Sequence, residues 1–177
     1  EDVVSPTLVM DNVDKIQSVW SSLEALRRDG SLWLWGYHYF WYAKGNDSCF
    51  ITSPVKLLDE IEVKSIVQIS GAYAAVYSDN TLWMWGDSGG KGLIGNGETS
   101  QVVCNPIKVL DNVQSVIMPD STASCFTIRT DGALCAWGDN SYGQLGVKTP
   151  GKFSALPVKV TFEEDYVPYN PSSDGWR

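Results

Sequence analysis

Apolar and polar residues alternate in short runs, and the runs return in one order three times. The first instance is Leu23-Glu24-Ala25-Leu26-Arg27-Arg28, then Asp29-Gly30, then Ser31-Leu32-Trp33-Leu34-Trp35-Gly36. The second is Tyr73-Ala74-Ala75-Val76-Tyr77-Ser78, Asp79-Asn80, Thr81-Leu82-Trp83-Met84-Trp85-Gly86. The third is Cys125-Phe126-Thr127-Ile128-Arg129-Thr130, Asp131-Gly132, Ala133-Leu134-Cys135-Ala136-Trp137-Gly138. Such runs, bounded by Asp, Asn and Gly, predict strands. Asp-Gly between two of them predicts a two-residue hairpin turn with positive φ at both positions. Asp79-Asn80 is a weaker version of the same signal.

A Pro-led run precedes each hairpin: Pro6-Thr7-Leu8-Val9-Met10, Pro54-Val55-Lys56-Leu57-Leu58 and Pro106-Ile107-Lys108-Val109-Leu110, with a fourth start at Pro157-Val158-Lys159-Val160. Another apolar run, such as Ile66-Val67-Gln68-Ile69, lies between. The closing Trp-Gly pairs at Trp35, Trp85 and Trp137 are spaced by 50 and then 52 residues. Four short strands recurring at this period predict an all-β repeat architecture, a solenoid or a propeller.

A two-residue turn at Asp131-Gly132 sets Arg129 opposite Leu134, Ile128 opposite Cys135 and Phe126 opposite Trp137. In the second repeat it puts Val76, Trp83, Ala74 and Trp85 on one face and Tyr77, Leu82, Ala75 and Met84 on the other. Both faces are largely apolar, as stacked propeller blades require. The expected organisation is a propeller segment over residues 1–160, with repeats at about 6–53, 54–105 and 106–156 and a fourth strand start. An acidic, then Tyr- and Pro-rich stretch over residues 161–177 reads as an extended tail or linker.

Composition narrows the functional classes. With 44% hydrophobic and 19% charged residues, and eight Trp, eight Tyr and five Phe, the chain is expected to fold and to be rich in strands and interfaces. The net charge of -8 opposes a phosphate backbone, so no nucleic-acid partner is expected. No apolar run approaches the roughly 20 residues of a membrane span. The chain begins at Glu1, which reads as a processed or cut protein and favours an extracellular or cell-surface location over a cytoplasmic one. Cys49, Cys104, Cys125 and Cys135 show no zinc-ligand spacing, so buried free thiols are expected and no metal or cofactor.

The recurring Asp-Gly-x-Leu-x-x-Trp-Gly frame, followed after Trp137-Gly138 by Asp139-Asn140-Ser141-Tyr142-Gly143-Gln144-Leu145-Gly146, resembles the regulator of chromosome condensation repeat. The second repeat keeps part of this loop as Asp87-Ser88-Gly89-Gly90-Lys91-Gly92-Leu93-Ile94-Gly95, whereas the first departs from it after Gly36. The resemblance implies four-stranded blades of a propeller that usually has seven. Three blades do not close a ring, so the resemblance implies an incomplete ring or one completed by a homo-oligomer. Family members include guanine nucleotide exchange factors on chromatin, β-lactamase inhibitors, an ultraviolet sensor and many uncharacterised bacterial proteins, a bacterial source being one expectation. No exchange-factor contact residue matches this sequence one by one.

Several motifs invite chemistry. Gly86-Asp87-Ser88-Gly89-Gly90 spells the nucleophile loop of a chymotrypsin-like protease, with His38 as the one available base. The repeat frame explains Gly86-Asp87 equally, as Gly138-Asp139, and no protease is expected. Gly90-Lys91-Gly92 lacks the flanking Gly and Ser or Thr of a phosphate loop. Asn46-Asp47-Ser48 is a glycosylation triplet of the kind chance supplies. Trp33, Trp35, Trp83 and Trp85 suit core packing better than light sensing. The aromatic run Tyr37-His38-Tyr39-Phe40-Trp41-Tyr42 replaces the polar loop of the first repeat and reads either as packing or as a binding surface.

The expected function is a non-enzymatic propeller module presenting loops to a protein partner. The candidate contacts are Tyr37, Tyr39, Phe40, Trp41, Tyr42, Asp139, Asn140 and Tyr142. A guanine nucleotide exchange factor-like regulator of a small GTPase, or a structural segment of a larger secreted or surface protein, are the alternatives.

Overall fold

The structure, a computed structural model, describes residues 5–19, 21–37, 50–57, 62–69, 71–100, 102–119, 122–149 and 151–161. Among them twelve strands form three four-stranded antiparallel sheets. The first sheet holds β1 (Val13–Val19), β2 (Ser22–Arg27), β3 (Leu32–Tyr37) and β4 (Phe50–Lys56). The second holds β5 (Val63–Ile69), β6 (Ala72–Tyr77), β7 (Leu82–Asp87) and β8 (Val102–Leu110). The third holds β9 (Val113–Ile117), β10 (Ser124–Arg129), β11 (Leu134–Asp139) and β12 (Phe153–Lys159). Each strand pairs with the next, and the sheets stack in sequence: β1 and β2 lie against β5, and β5 and β6 against β9. These are three successive propeller blades, as the all-β expectation has it.

The hairpins correct the predicted register. In the third blade the Arg129 N–H donates to the Ala133 carbonyl and the Gly132 N–H to the Arg129 carbonyl, both at 2.9 Å. The same two bonds join Arg27 with Ser31 and Gly30, and Tyr77 with Thr81 and Asn80. Each turn is therefore a three-residue loop ending in one left-handed residue, Gly30, Asn80 or Gly132, at φ 76°, 65° and 82°. The preceding Asp stays out of the left-handed region because its carboxylate is committed locally. Oδ1 of Asp29, Asp79 and Asp131 accepts the N–H two residues on, at 3.0, 3.0 and 2.9 Å. The pairing moves by one residue, so Ile128 faces Leu134 and Cys125 faces Trp137.

That shift re-sorts the faces. Ala74, Val76, Leu82 and Met84 share one side of the middle blade and pack with Val113, Val116, Cys125 and Trp137 of the third. Tyr73, Ala75, Tyr77 and Trp85 share the other and pack with Leu26, Leu32 and Leu34 of the first. The middle blade thus feeds two separate seams, and burying each Leu, Val or Met side chain there contributes about 1.5–3 kcal/mol. The Trp-Gly signature has a steric cause: a Cβ at Gly138 would stand 2.2 Å from the Ala123 carbonyl oxygen. Gly36 and Gly86 meet the carbonyls of Ser21 and Gly71 in the same way.

The Pro-led runs are placed differently from the expectation. Pro54, Pro106 and Pro157 lie inside β4, β8 and β12, so the run closes each sheet instead of opening it. Residues 6–10 form no strand. The start at Pro157 is not an orphan, because β12 pairs with β11. Each proline falls where the fourth strand slips register against the third, a place where the missing N–H breaks no ladder bond. Of the tail expected at 161–177, residues 162–177 lie outside the described residues.

Candidate functional site

The candidate site is built by the segments that follow the third strand of the second and third blades, with the end of β3 in the first. In the third blade, Asp139 and Asn140 organise residues 139–149 from within. Asp139 Oδ1 accepts from Ser141 Oγ at 2.6 Å and Ser141 N at 3.2 Å, and Oδ2 accepts from Gln144 Nε2 at 3.2 Å. Asn140 Oδ1 accepts the Leu145 N–H at 3.0 Å, while its Nδ2 donates to the Val147 carbonyl and Thr149 Oγ1, both at 3.1 Å. Hydrogen bonds from the Ser141 side chain and backbone, with the Lys91 charge and Gln144, hold the Asp139 carboxyl below its usual range against a smaller opposing effect of burial. Leu145 plugs the loop into Ala136 and Val160 beneath it. The Tyr142 side chain is left at the tip, 94% exposed.

The second blade uses the same frame to a different end. Asp87 Oδ1 accepts the Gly89 N–H at 2.9 Å, and Leu93 and Ile94 are buried in the seam with the third blade. The Leu93 carbonyl accepts the indole N–H of Trp137 at 2.8 Å, and the Gly97 N–H donates to the Ala155 carbonyl at 2.8 Å. Lys91, which takes the loop position that Tyr142 takes in the third blade, pairs with Asp139 at 3.6 Å. The loop is a clamp between blades.

In the first blade, Tyr37 stands where the others have Asp87 and Asp139, as the pairings Tyr37 with Phe50, Asp87 with Val102 and Asp139 with Phe153 show. A phenol cannot accept the loop N–H groups as a carboxylate does. Tyr37 instead meets Phe50 ring to ring at 5.2 Å, both rings partly open to solvent. Tyr39, Phe40, Trp41 and Tyr42 lie outside the described residues, as does His38. Of the predicted contacts, Asp139, Asn140 and Tyr142 therefore share one loop, with two side chains building it and one projecting. Sequence reasoning missed Phe50 and the Lys91–Asp139 pair. The alignment of Gly90-Lys91-Gly92 with Ser141-Tyr142-Gly143 carried the signal for Lys91.

The other motifs have structural placements. Ser88 is buried and its Oγ donates to the Thr99 carbonyl at 2.7 Å, so it faces the loop interior and offers no accessible nucleophile. Trp83 and Trp85 stack on Tyr77 and Tyr73 within their own sheet, at 5.4 and 5.3 Å. Cys125 and Cys135 are free and buried, and burial pushes the Cys125 thiol well up. No group of three potential metal ligands, and no helix long and apolar enough to cross a membrane, occurs among the described residues.

The first seam holds a buried carboxyl. Glu24 takes the position of Ala74 and Phe126 in the other blades and is fully enclosed. With the Gln68 amide oriented by its network, its nitrogen donates to the Glu24 carboxyl oxygens at 2.8 and 3.2 Å. Its oxygen accepts from Ser22 Oγ at 2.9 Å and from the Tyr73 hydroxyl at 2.8 Å. Desolvation raises the Glu24 pKa to about 8, with the Ser22 hydrogen bond opposing.

Three stacked four-stranded blades with Gly-rich connecting loops define a β-propeller segment. The sequence model of the Regulator of chromosome condensation (RCC1) repeat matches residues 131–169. It is 29% identical over 148 residues to the RCC1 domain-containing protein RUG3, mitochondrial, of Arabidopsis thaliana, covering 80% of this chain and 33% of that protein. It is 26% identical over 145 residues to the Protein RCC2 homolog of Danio rerio, covering 79% and 29%. The chain thus spans about a third of the length of these relatives. Among solved structures, human WBSCR16 matches with a TM-score of 0.68 at 19% identity, over 85% of this chain and 38% of that one. Yeast RCC1 (Prp20), solved bound to Kap60, matches with 0.68 at 17% identity, over 89% and 37%. These likenesses show the propeller fold.

Proposed function

We propose that the chain is a non-enzymatic propeller segment whose loops bind a protein partner. The observation that carries this reading is the third-blade loop. Seven side chain-mediated hydrogen bonds through Asp139, Asn140 and Gln144 fix its path, and Tyr142 stands at its tip almost fully in solvent. A pre-ordered loop with a projecting aromatic loses little entropy on binding and supplies the side-chain type that dominates interface energetics. Asp139 and Asn140 act in this reading as supports for Tyr142, and Tyr37 with Phe50 forms a second aromatic contact on the first blade.

A yeast relative in fold, Prp20p, was studied for binding to Gsp1p and histones, which makes a Gsp1p-type GTPase and core histones the first probes. Immobilised probe and soluble chain, read by interferometry, test the reading. Tyr142→Ala is expected to weaken binding by about thirtyfold, the scale of a 2 kcal/mol hot spot. Unchanged affinity in Tyr142→Ala and Tyr37→Ala would remove these contacts from the site. The second reading, an exchange factor-like regulator, requires accelerated release of labelled nucleotide from the GTPase, which a passive binder does not produce.

A further inference from the structure

The clamp of the second blade contains Asn96-Gly97, the one place in the sequence where an asparagine precedes a glycine. Glycine offers the asparagine carboxamide a backbone nitrogen that no side chain screens. The Gly97 nitrogen can attack Asn96 Cγ when its N–H is free to lose a proton. That step forms the N–Cγ bond of a succinimide, passes the Gly97 proton to a base and expels Nδ2 as ammonia. Water then adds to one of the two ring carbonyls and opens the ring, leaving aspartate or isoaspartate at position 96. The reaction consumes one water and needs no oxidant.

The fold both readies this reaction and holds it back. Asn96 Oδ1 accepts the Glu98 N–H at 3.1 Å, which folds the carboxamide back over the Gly97 peptide, toward the nitrogen that would attack. Gly97 is exposed and Asn96 half-buried, so water and base reach both. Against this, the Gly97 N–H is committed. It donates to the Ala155 carbonyl of β12 at 2.8 Å, across the second seam. While that bond stands, the nitrogen keeps its proton and is pinned against the third blade. Its neighbours hold it there: the Trp137 indole ties down the Leu93 carbonyl, the Gly95 N–H donates to the Gly92 carbonyl at 3.0 Å, and the Gly92 backbone abuts Ala155.

We propose that Asn96-Gly97 is a site of spontaneous deamidation gated by the clamp, reacting when residues 92–97 lift from the third blade. The product records that opening irreversibly. It adds a carboxylate two residues from Glu98, and the isoaspartyl form also lengthens the backbone by one methylene. The Gly97 N–H then no longer meets the Ala155 carbonyl in register, and the modified seam closes less tightly than before. Tyr142 takes no part, so the proposal stands or falls separately from loop binding.

The test follows tryptic peptide 92–108 by mass spectrometry after incubation at mildly alkaline pH. Deamidation makes this peptide one dalton heavier, and an isoaspartyl methyltransferase labels the isoaspartyl share. Asn105, its other asparagine, precedes Pro106, whose nitrogen carries no proton to lose. Asn96→Gln should remove the signal. The folded chain should react at least about tenfold more slowly than the chain unfolded in guanidinium chloride, because the open fraction sets the ratio. Trp137→Phe removes the tie on the Leu93 carbonyl and should speed the folded reaction about thirtyfold, the scale of one buried hydrogen bond. Its strand circular dichroism and its rate when unfolded should match the parent's. Equal folded and unfolded rates in the parent, or a folded Trp137→Phe rate within about twofold of the parent's, overturn the gating. An unmodified Asn96 in the unfolded chain overturns the site itself.

Discussion

The two internal seams have the same architecture and different chemistry. The second is apolar and clamped: Leu93 and Ile94 descend from the middle blade onto the third, and the Trp137 indole is tied to the Leu93 carbonyl. The first carries a carboxyl where the second carries Ala74, and Gln68, Ser22 and Tyr73 must gather around it. Blade stacking therefore requires no single residue set. It requires complementary faces, and a polar cluster serves where every member finds a partner. The difference in energetic character is testable, since the second seam should respond to shape and the first to pH.

The largest effect is expected from breaking the clamp. A Cβ at Gly92 would stand 2.5 Å from the Ala155 Cα, on a backbone with φ of 72°. Gly92→Val combines overpacking with a left-handed β-branched residue, and urea titration should show a loss of about 4 kcal/mol.

Next in size is the pH response of the first seam. The Glu24 carboxyl titrates near 8 in the folded protein and at the ordinary 4.5 when unfolded. Between these values the folded state holds a proton that the unfolded state has released, so stability falls as pH rises from 4.5 to about 8 and levels off above. Glu24→Gln should abolish that fall, which is on the order of 5 kcal/mol, as read by denaturation midpoints across the same pH range. A slope that persists in the variant would place the pH response outside this seam.

Trp137→Phe keeps the ring packing and leaves the Leu93 carbonyl without its donor, at a cost of about 2 kcal/mol. The smallest effect sharpens the contrast between clamp and free loop. Gly143 is the counterpart of Gly92, but no heavy atom lies within 4 Å of the Cβ it lacks. Gly143→Ala should therefore show only the backbone cost, about 1 kcal/mol, by thermal melting.

Much of this was legible in the residues. The three Trp-Gly endings and the turns before them announce blades, because both features answer to local sterics within one hairpin. Register was misread at Asp131 for an equally local reason: its carboxylate caps Ala133 and favours a three-residue turn. The phase of the prolines was misread because a proline that follows a polar stretch looks like a strand opening, whereas Pro157 sits within β12. The clamp was illegible in any one repeat. Lys91 with Asp139 and Gly92 with Ala155 meet only when two blades are stacked, and the sequence separation between them carries no periodic signature. At the candidate site, the glycines and Asp139 marked the loop, but only the folded path separates Asp139 and Asn140, which turn inward, from Tyr142, which does not.

The prolines of the fourth strands have a consequence for solubility. The outermost strand of each blade is an open rim, where unpaired amides invite a foreign strand and lead to fibrous aggregation. Pro54, Pro106 and Pro157 each delete one donor from that rim, at the point where its path already deviates. A fifth strand finds no continuous ladder to extend. Growth by the rim is thereby discouraged in every blade.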